Sequence, residues 1–172
     1  MKRVLLFPTE LEAAPLRALR PDLEVCICGV GAIETARTVA RLLAESAPEQ
    51  LILCGIAGCY DQSLAIGEVV EVESEHTASL PKTFRAKYRA TMSLGLRSVT
   101  SNTVMSVGEA KVSEAEIENM EGAALFALCE GTACVCGEIR AISNRVDAPR
   151  EEWDIDSALR NLTQTIDRLF PH

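Results

Sequence analysis

Histidine and aromatic side chains are scarce in this chain. It has two histidines, His76 and His172, and aromatic residues make up 4% of it. So few imidazoles leave a histidine-based metal centre or a Ser-His-Asp triad almost nothing to draw on. Any chemistry falls to carboxylates, amides and backbone groups. Basic charge is also thin: 17 Lys and Arg stand against 25 Asp and Glu, a net charge of −8, and the basic residues are scattered. No stripe is left to neutralise a phosphate backbone, so nucleic acid is not an expected partner. No apolar run approaches the roughly 20 residues that cross a bilayer. The opening MKRVLLFPTELE has only a short apolar core before Pro8 and two acids, unlike an export signal. The expectation is a cytoplasmic protein with no membrane partner.

Cysteine is not scarce, but its seven copies are an odd number in a chain of 172 residues, which suits reduced thiols better than a disulfide framework. Cys26 with Cys28, and Cys134 with Cys136, are spaced to share one face of a strand and lack the CxxC spacing of a zinc or redox site. They read as small buried hydrophobes.

With 48% hydrophobic residues, the chain can bury the core of one domain spanning residues 1–172. Short apolar runs at 3–7, 24–30 and 50–56 alternate with helical patterns at 10–20 and 32–46. Further strands are predicted at 66–73, 96–102 and 133–143, and helices at 119–130 and 151–170. This alternation predicts an α/β fold, with a mostly parallel central sheet flanked by helices. Trp153, Ile155, Leu159, Leu162, Ile166 and Leu169 fall on one side of the last helix, with Trp153 read as a core anchor. The polar stretch at about 74–95 breaks the rhythm and is expected to be a long, irregular loop, the least ordered part of the chain.

In sheets of this kind ligands collect beyond the carboxyl ends of the strands, where several motifs fall. Gly29-Val-Gly31 opens a helix and turns backbone N–H groups outward, but Glu34 stands where a dinucleotide fingerprint needs its third glycine. CGIAGCY (54–60) reads as a second strand exit with turn glycines. Glu10 and Glu12 follow the first strand, as helix-capping acids or as reactive carboxylates. Ser143 and Asn144 follow the last strand, as turn formers or as site residues. Glu121, in ENMEGAALF, is unlike these: a carboxylate at a buried helix start is costly without a partner.

MEGAALF (120–126), RAISN (140–144) and GIAG (55–58) together resemble the nucleoside phosphorylase and nucleosidase superfamily. The likeness extends to TELEA, GVG, GEVVEV and SNTV. The resemblance implies that Glu121 accepts hydrogen bonds from ribose hydroxyls, that Met120 packs on the sugar, and that Glu12 orients and deprotonates a water. It implies that Val104 and Met105 hold the base, that Ala57, Gly58 and Ser143 join the substrate surface, and that no cofactor or metal is needed. Nucleosidases acting on methylthioadenosine and adenosylhomocysteine carry an aspartate where Asn144 stands. An asparagine followed by RVDAPREEW, with Arg150 and Trp153, is instead similar to the futalosine hydrolases, which release hypoxanthine on a route to menaquinone. A neutral amide suits a purine bearing an oxygen acceptor at C6, so Asn144 joins Glu12 as an expected catalytic residue. Alternatives are an adenine nucleosidase, a phosphorylase drawing on Arg37, Arg85 or Arg140 for phosphate, and a nucleoside sensor without turnover. The segment between GEVVEV and SNTV is shorter than is usual in this superfamily. By analogy the partner set is a small nucleoside and a second copy of the chain in a homodimer.

Overall fold

Alternating side chains along the first and third strands point to opposite sides of one sheet, and each side is covered by two helices. In β1 (Arg3–Phe7), Val4 and Leu6 join one core cluster while Leu5 and Phe7 join the other. In β3 (Gln50–Cys59), Leu51 and Leu53 divide from Ile52 and Cys54 in the same way, the period-two pattern of a strand buried on both faces. The first cluster is closed by α2 (Ala32–Glu45) through Val39 and Leu42, and by α3 (Gly122–Cys129) through Leu125, Phe126 and Cys129. The second is closed by α1 (Glu10–Leu19) and α4 (Ile155–Leu169), the latter through Ala158, Leu159, Leu162 and Ile166. The structure is a computed structural model that describes residues 2–108 and 114–171.

The remaining strands are β2 (Val25–Ile27), β4 (Val69–Thr77), β5 (Lys87–Arg89), β6 (Arg97–Thr103), β7 (Ile117–Asn119) and β8 (Val135–Arg145). Strands β2, β1 and β3 pair in parallel, as do β3 with β8, β4 with β6, and β6 with β7. Antiparallel pairs join β3 to β7, β4 to β5 and β4 to β8. The predicted α/β architecture is present, with a sheet that is mixed in direction. Because β3 pairs with both β7 and β8, and β4 with both β6 and β8, these five strands close into a ring.

Three expectations need correction. The stretch at 74–95 is more regular than its polarity suggests. Strand β4 runs on to Thr77 and β5 pairs back onto it. Buried Glu71 accepts from Ser93 Oγ at 2.8 Å, Leu94 N at 2.6 Å and Leu96 N at 3.2 Å, fastening the end of the segment. The GIAG glycines are not turn formers but lie within β3. Trp153 precedes α4 and is half-buried outside both core clusters. The cysteine reading holds: all seven thiols are free, and Cys28, Cys134 and Cys136 share one core cluster.

Phe126, 1% exposed, fills the layer between α3 and the sheet. Phe126→Ala is expected to cost roughly 3–5 kcal/mol in denaturant unfolding; a loss below about 1 kcal/mol would place this ring outside the core.

Candidate active site

The carboxyl ends of β1, β3 and β8 open onto a cavity of about 300 Å³, within the range of small-molecule sites. Its wall includes Pro8, Thr9 and Glu12 beyond β1, Ile56, Ala57 and Gly58 from β3, and Ser143 and Asn144 from β8. Val104, Glu118, Met120 and Glu121 close another side. Eight of the nine residues expected at the site are therefore gathered in one place. The ninth, Met105, is 58% exposed and not part of the lining; its backbone N–H donates to Ser79 Oγ at 2.8 Å. The chain turns outward directly after Val104, which is buried.

Glu12 and Glu10, equivalent in sequence, part company in space. Glu10 is exposed and pairs with Arg17 at 2.5 Å. Glu12 is 7% exposed and faces the sheet, its Oε1 accepting from Ile56 N at 3.1 Å and its Oε2 from the Thr9 hydroxyl at 2.6 Å. Thr9 is the N-cap of α1 and in turn accepts from Glu12 N. Capping and site geometry are thus one arrangement, with Thr9 fixing the rotamer of the acid that reaches the cavity.

Glycines in β3 make this approach possible. A Cβ on Gly55 would stand 2.7 Å from Arg140 Nη1 and 2.9 Å from Glu12 Oε1, and one on Gly58 would stand 3.1 Å from Asn144 Nδ2. Their function is close approach within a strand. Gly31 serves a different end. At φ +89° it adopts a conformation that L side chains rarely take, and it caps α2. Its N–H donates to Glu121 Oε1 at 2.9 Å. The anion held at this helix N-terminus is the protein's own carboxylate.

Glu121 is 4% exposed and well partnered. Its Oε2 accepts from Met120 N and lies 3.3 Å from Arg140 Nη2. The buried acid therefore has partners inside the fold, in addition to any substrate. Arg140, 1% exposed, binds Glu138 through Nε at 2.7 Å, Asn119 Oδ1 through Nη2 at 2.9 Å, and the Ile56 carbonyl through Nη1 at 3.2 Å. Burial works against its charge, but the carboxylates of Glu138 and Glu121 outweigh burial and keep the guanidinium protonated. Asn119, missed in the sequence reading, is the joint of the network. Its Oδ1 also accepts from Glu121 N and Gly122 N, capping α3, while its Nδ2 donates to Glu75 and Ser101. The available signal was the alternation of Glu138 and Arg140 in an otherwise apolar strand, two charges facing the same buried side.

Beneath this network Glu75, fully buried, accepts from Thr103 Oγ1 at 2.7 Å and Asn119 Nδ2 at 2.5 Å. Burial first, and the neighbouring Glu138 carboxylate second, push its carboxyl well above the ordinary glutamate range. A Cβ on Gly122 would collide with carboxylate oxygens of both acids, so the two acids face each other below α3. Glu138 Oε2 has no partner among the described residues and is the natural acceptor for a proton held on Glu75.

Asn144, 2% exposed, is fixed by its neighbours. Its Oδ1 accepts from Ser143 Oγ at 2.8 Å, and its Nδ2 donates to the Arg145 carbonyl at 2.8 Å. An amide nitrogen carries two hydrogens, which leaves one N–H for a cavity ligand. The register of β3 against β8 shifts at Ala57 and Gly58, so that Ser143 and Asn144 both reach the lining. Glu118, the other acid of ENMEGAALF and not among the expected site residues, also lines the cavity, accepting from the Tyr60 hydroxyl and from Gly108 N. Of the arginines considered for phosphate, Arg37 bonds Glu34, Arg85 bonds the Leu80 carbonyl, and Arg140 is enclosed. Neither histidine contributes: His76 lies in β4 off the lining, and His172 is outside the described residues.

The raised Glu75 carboxyl carries a stability signature. The folded state keeps that proton to higher pH than the unfolded chain. Its contribution is therefore complete below the ordinary glutamate range and is lost as pH rises through the elevated value. Denaturant unfolding across a pH series should show wild-type stability declining with rising pH relative to Glu75→Gln, which cannot titrate there. Parallel profiles would contradict the protonated pair.

Residues 22–103 match the family model described as the phosphorylase superfamily. A curated futalosine hydrolase of Thermus thermophilus is 29% identical over 83% of this chain and 78% of its own length. Among solved structures, the methylthioadenosine/adenosylhomocysteine nucleosidase of Helicobacter pylori superposes with a TM-score of 0.87 at 14% identity, covering 98% of this chain and 97% of that one. The native futalosine hydrolase structure of the same organism gives identical figures, and the Streptococcus pyogenes adenosylhomocysteine nucleosidase gives 0.84 at 20%, covering 98% and 95%. The chain thus resembles the phosphorylase superfamily over residues 22–103 and the curated futalosine hydrolase over most of its length, and it shares the fold of the methylthioadenosine/adenosylhomocysteine nucleosidases and of futalosine hydrolase alike.

Proposed function

We propose that this chain is a nucleosidase that hydrolyses the N-ribosyl bond of a 6-oxopurine nucleoside, as futalosine hydrolase does, releasing hypoxanthine for a step toward menaquinone. The observation that carries this reading is the fixed amide of Asn144, which offers an N–H into a cavity shared with Glu12 and Glu121. That N–H donates to N7 or O6 of the base. An aspartate there would repel O6 when charged, whereas the amide has no charge to lose. Glu121 spends acceptor capacity on Gly31 and Arg140 and, with about four lone-pair sites on a carboxylate, still has room for a ribose hydroxyl. Met120 packs on the sugar and Val104 against the base.

In the reaction the C1′–N9 bond breaks with its electron pair leaving on the base, and a ribosyl centre of oxocarbenium character forms. Water oxygen bonds to C1′, and Glu12, held by Thr9 and Ile56 N, takes its proton. Hydrolysis is favoured over phosphorolysis because Arg37, Arg85 and Arg140 are all engaged elsewhere. A homodimer belongs to the same reading. Leu11, Val30 and Val107 line the cavity yet are 65%, 52% and 51% exposed, an apolar rim that a second copy would cover.

The test is chromatography of free bases after incubation with futalosine, inosine and methylthioadenosine, with and without phosphate. Hypoxanthine release independent of phosphate is expected, and Asn144→Asp should move preference toward the adenine nucleoside. Adenine preference in the unaltered protein would sink the Asn144 argument. Glu12→Gln should lower turnover by roughly 10²-fold or more while nucleoside binding persists. If neither protein releases base although both bind nucleoside, the sensor reading replaces the enzyme.

A further inference from the structure

The proposed hydrolysis leaves one acid of the cavity without a task. Glu118 lines the cavity and is 3% exposed, yet it neither activates the water nor grips the sugar. Its place is set by strand pairing. Gly58 of β3 is the register partner of Glu118 in β7 on one side and of Asn144 in β8 on the other. Register partners turn their side chains to the same face of a sheet, and a Cβ on Gly58 would meet Asn144 Nδ2 at 3.1 Å. The row therefore reads acid, glycine, amide. With neighbouring strands about 4.8 Å apart, the glycine leaves a slot between a carboxylate and an amide that stand two strands apart.

Both oxygens of the acid are held. Oε2 accepts from the Tyr60 hydroxyl, which itself accepts from Asn102 Nδ2 at 3.3 Å, and Oε1 accepts from Gly108 N at 2.8 Å. Two donors against about four lone-pair sites leave a fixed carboxylate with acceptor capacity to spare. The neighbouring backbone donors are already engaged: Val104 N goes to the Asn119 carbonyl at 2.9 Å, and Gly108 N goes to Glu118 itself. A ligand edge seated here meets an acceptor. An edge that brings its own lone pair meets repulsion and stays unpaired.

We infer that Glu118 is a specificity-determining residue that reads N1 of the purine across the Gly58 slot. This deepens the nucleosidase reading and rests on it. A 6-oxopurine carries a hydrogen on N1, where adenine carries a lone pair. With Asn144 donating at N7 or O6, the adjoining N1–H extends over Gly58 and donates to the Glu118 carboxylate. Amide and acid then form a matched pair, one donating to the base and the other accepting from it. Adenine would bring an amino group to the donor and a lone pair to the acceptor, a mismatch at both ends of the slot.

Three ligands isolate N1: 5′-methylthioinosine, its 1-methyl derivative and 5′-methylthioadenosine. The first two share O6 and N7, so Asn144 does not distinguish them. Affinities are measured by calorimetric titration in the Glu12→Gln background, so that turnover does not obscure binding. The parent is expected to bind 5′-methylthioinosine about tenfold more tightly than the 1-methyl derivative. Glu118→Leu, close in size but without an acceptor, should bring that ratio close to one. An unchanged ratio would mean that bulk alone excludes the methyl group, and would overturn the inference, as would equal binding of the two by the parent. Glu118→Gln keeps a partner for Tyr60 and decides the matter if the leucine variant does not fold. Its amide can turn an oxygen to N1–H or a nitrogen to the adenine lone pair, so the preference for 5′-methylthioinosine over 5′-methylthioadenosine should fall about tenfold, chiefly through tighter binding of the adenine nucleoside. A structural role alone would weaken both nucleosides equally and leave their ratio in place, which contradicts the inference. The nucleosidase reading fails separately. N1 preference without base release by the unaltered protein defeats the enzyme and spares the base contact, whereas hypoxanthine release without N1 preference does the reverse.

Discussion

One buried guanidinium organises the site. Arg140 is drawn into the interior by Glu138 and Glu121, and its remaining donors go to Asn119 and to the Ile56 carbonyl of β3. A charge taken out of water is tolerable only when its partners are this complete. The pieces of the cavity inherit their positions from that requirement. Asn119 caps α3 only because its oxygen is shared with Arg140. Glu121 stands at the cavity because Arg140 and the Gly31 N–H hold its two oxygens. Glu12 comes within reach because β3 has glycine at position 55, where a Cβ would strike both Arg140 and Glu12.

The same network explains why a chain with so many buried acids folds at all. Glu75 and Glu138 share a pocket under α3. Two adjacent carboxylates cannot both ionise cheaply; burial raises both carboxyls, and the Glu138 charge raises Glu75 further, which favours a proton held between them. That leaves Arg140 to balance the acids that stay charged. The Cβ-free position at Gly122 gives the pair its space, so the glycine of MEGAA belongs to the electrostatics as much as to the helix start. The cavity above is then acidic in its walls and neutral at Asn144, a setting suited to a ribosyl centre gaining positive charge.

Much of this was legible in the sequence, for physical reasons. The strands and helices that bury a periodic apolar face declare themselves, and β1, α1, α2, β6 and α4 fall within a few residues of their predicted bounds. The gathering of Glu12, Asn144, Met120 and Glu121 was readable from short motifs. What stayed hidden depends on long-range pairing. Strand β7 is three residues long and exists through its neighbours β3 and β6; Lys87–Arg89 gains strand character by pairing with β4. The glycines of GIAG were read as turns because local rules cannot tell a turn from a strand crowded by Arg140 and Asn144. Met105 was placed at the site with Val104 by the family likeness around SNTV, yet the chain turns outward between them. Trp153 was assigned to the helix stripe because it keeps the right spacing, although α4 begins two residues later.

Arg140 is the structural necessity on which the site depends. Denaturant unfolding of Arg140→Met tests it most directly, since methionine keeps much of the volume and removes the charge. Stranding Glu138 and Glu121 should cost about 3–5 kcal/mol. A variant within about 1 kcal/mol of the unaltered protein would show that the acids find other partners and that the cavity does not hang from this guanidinium.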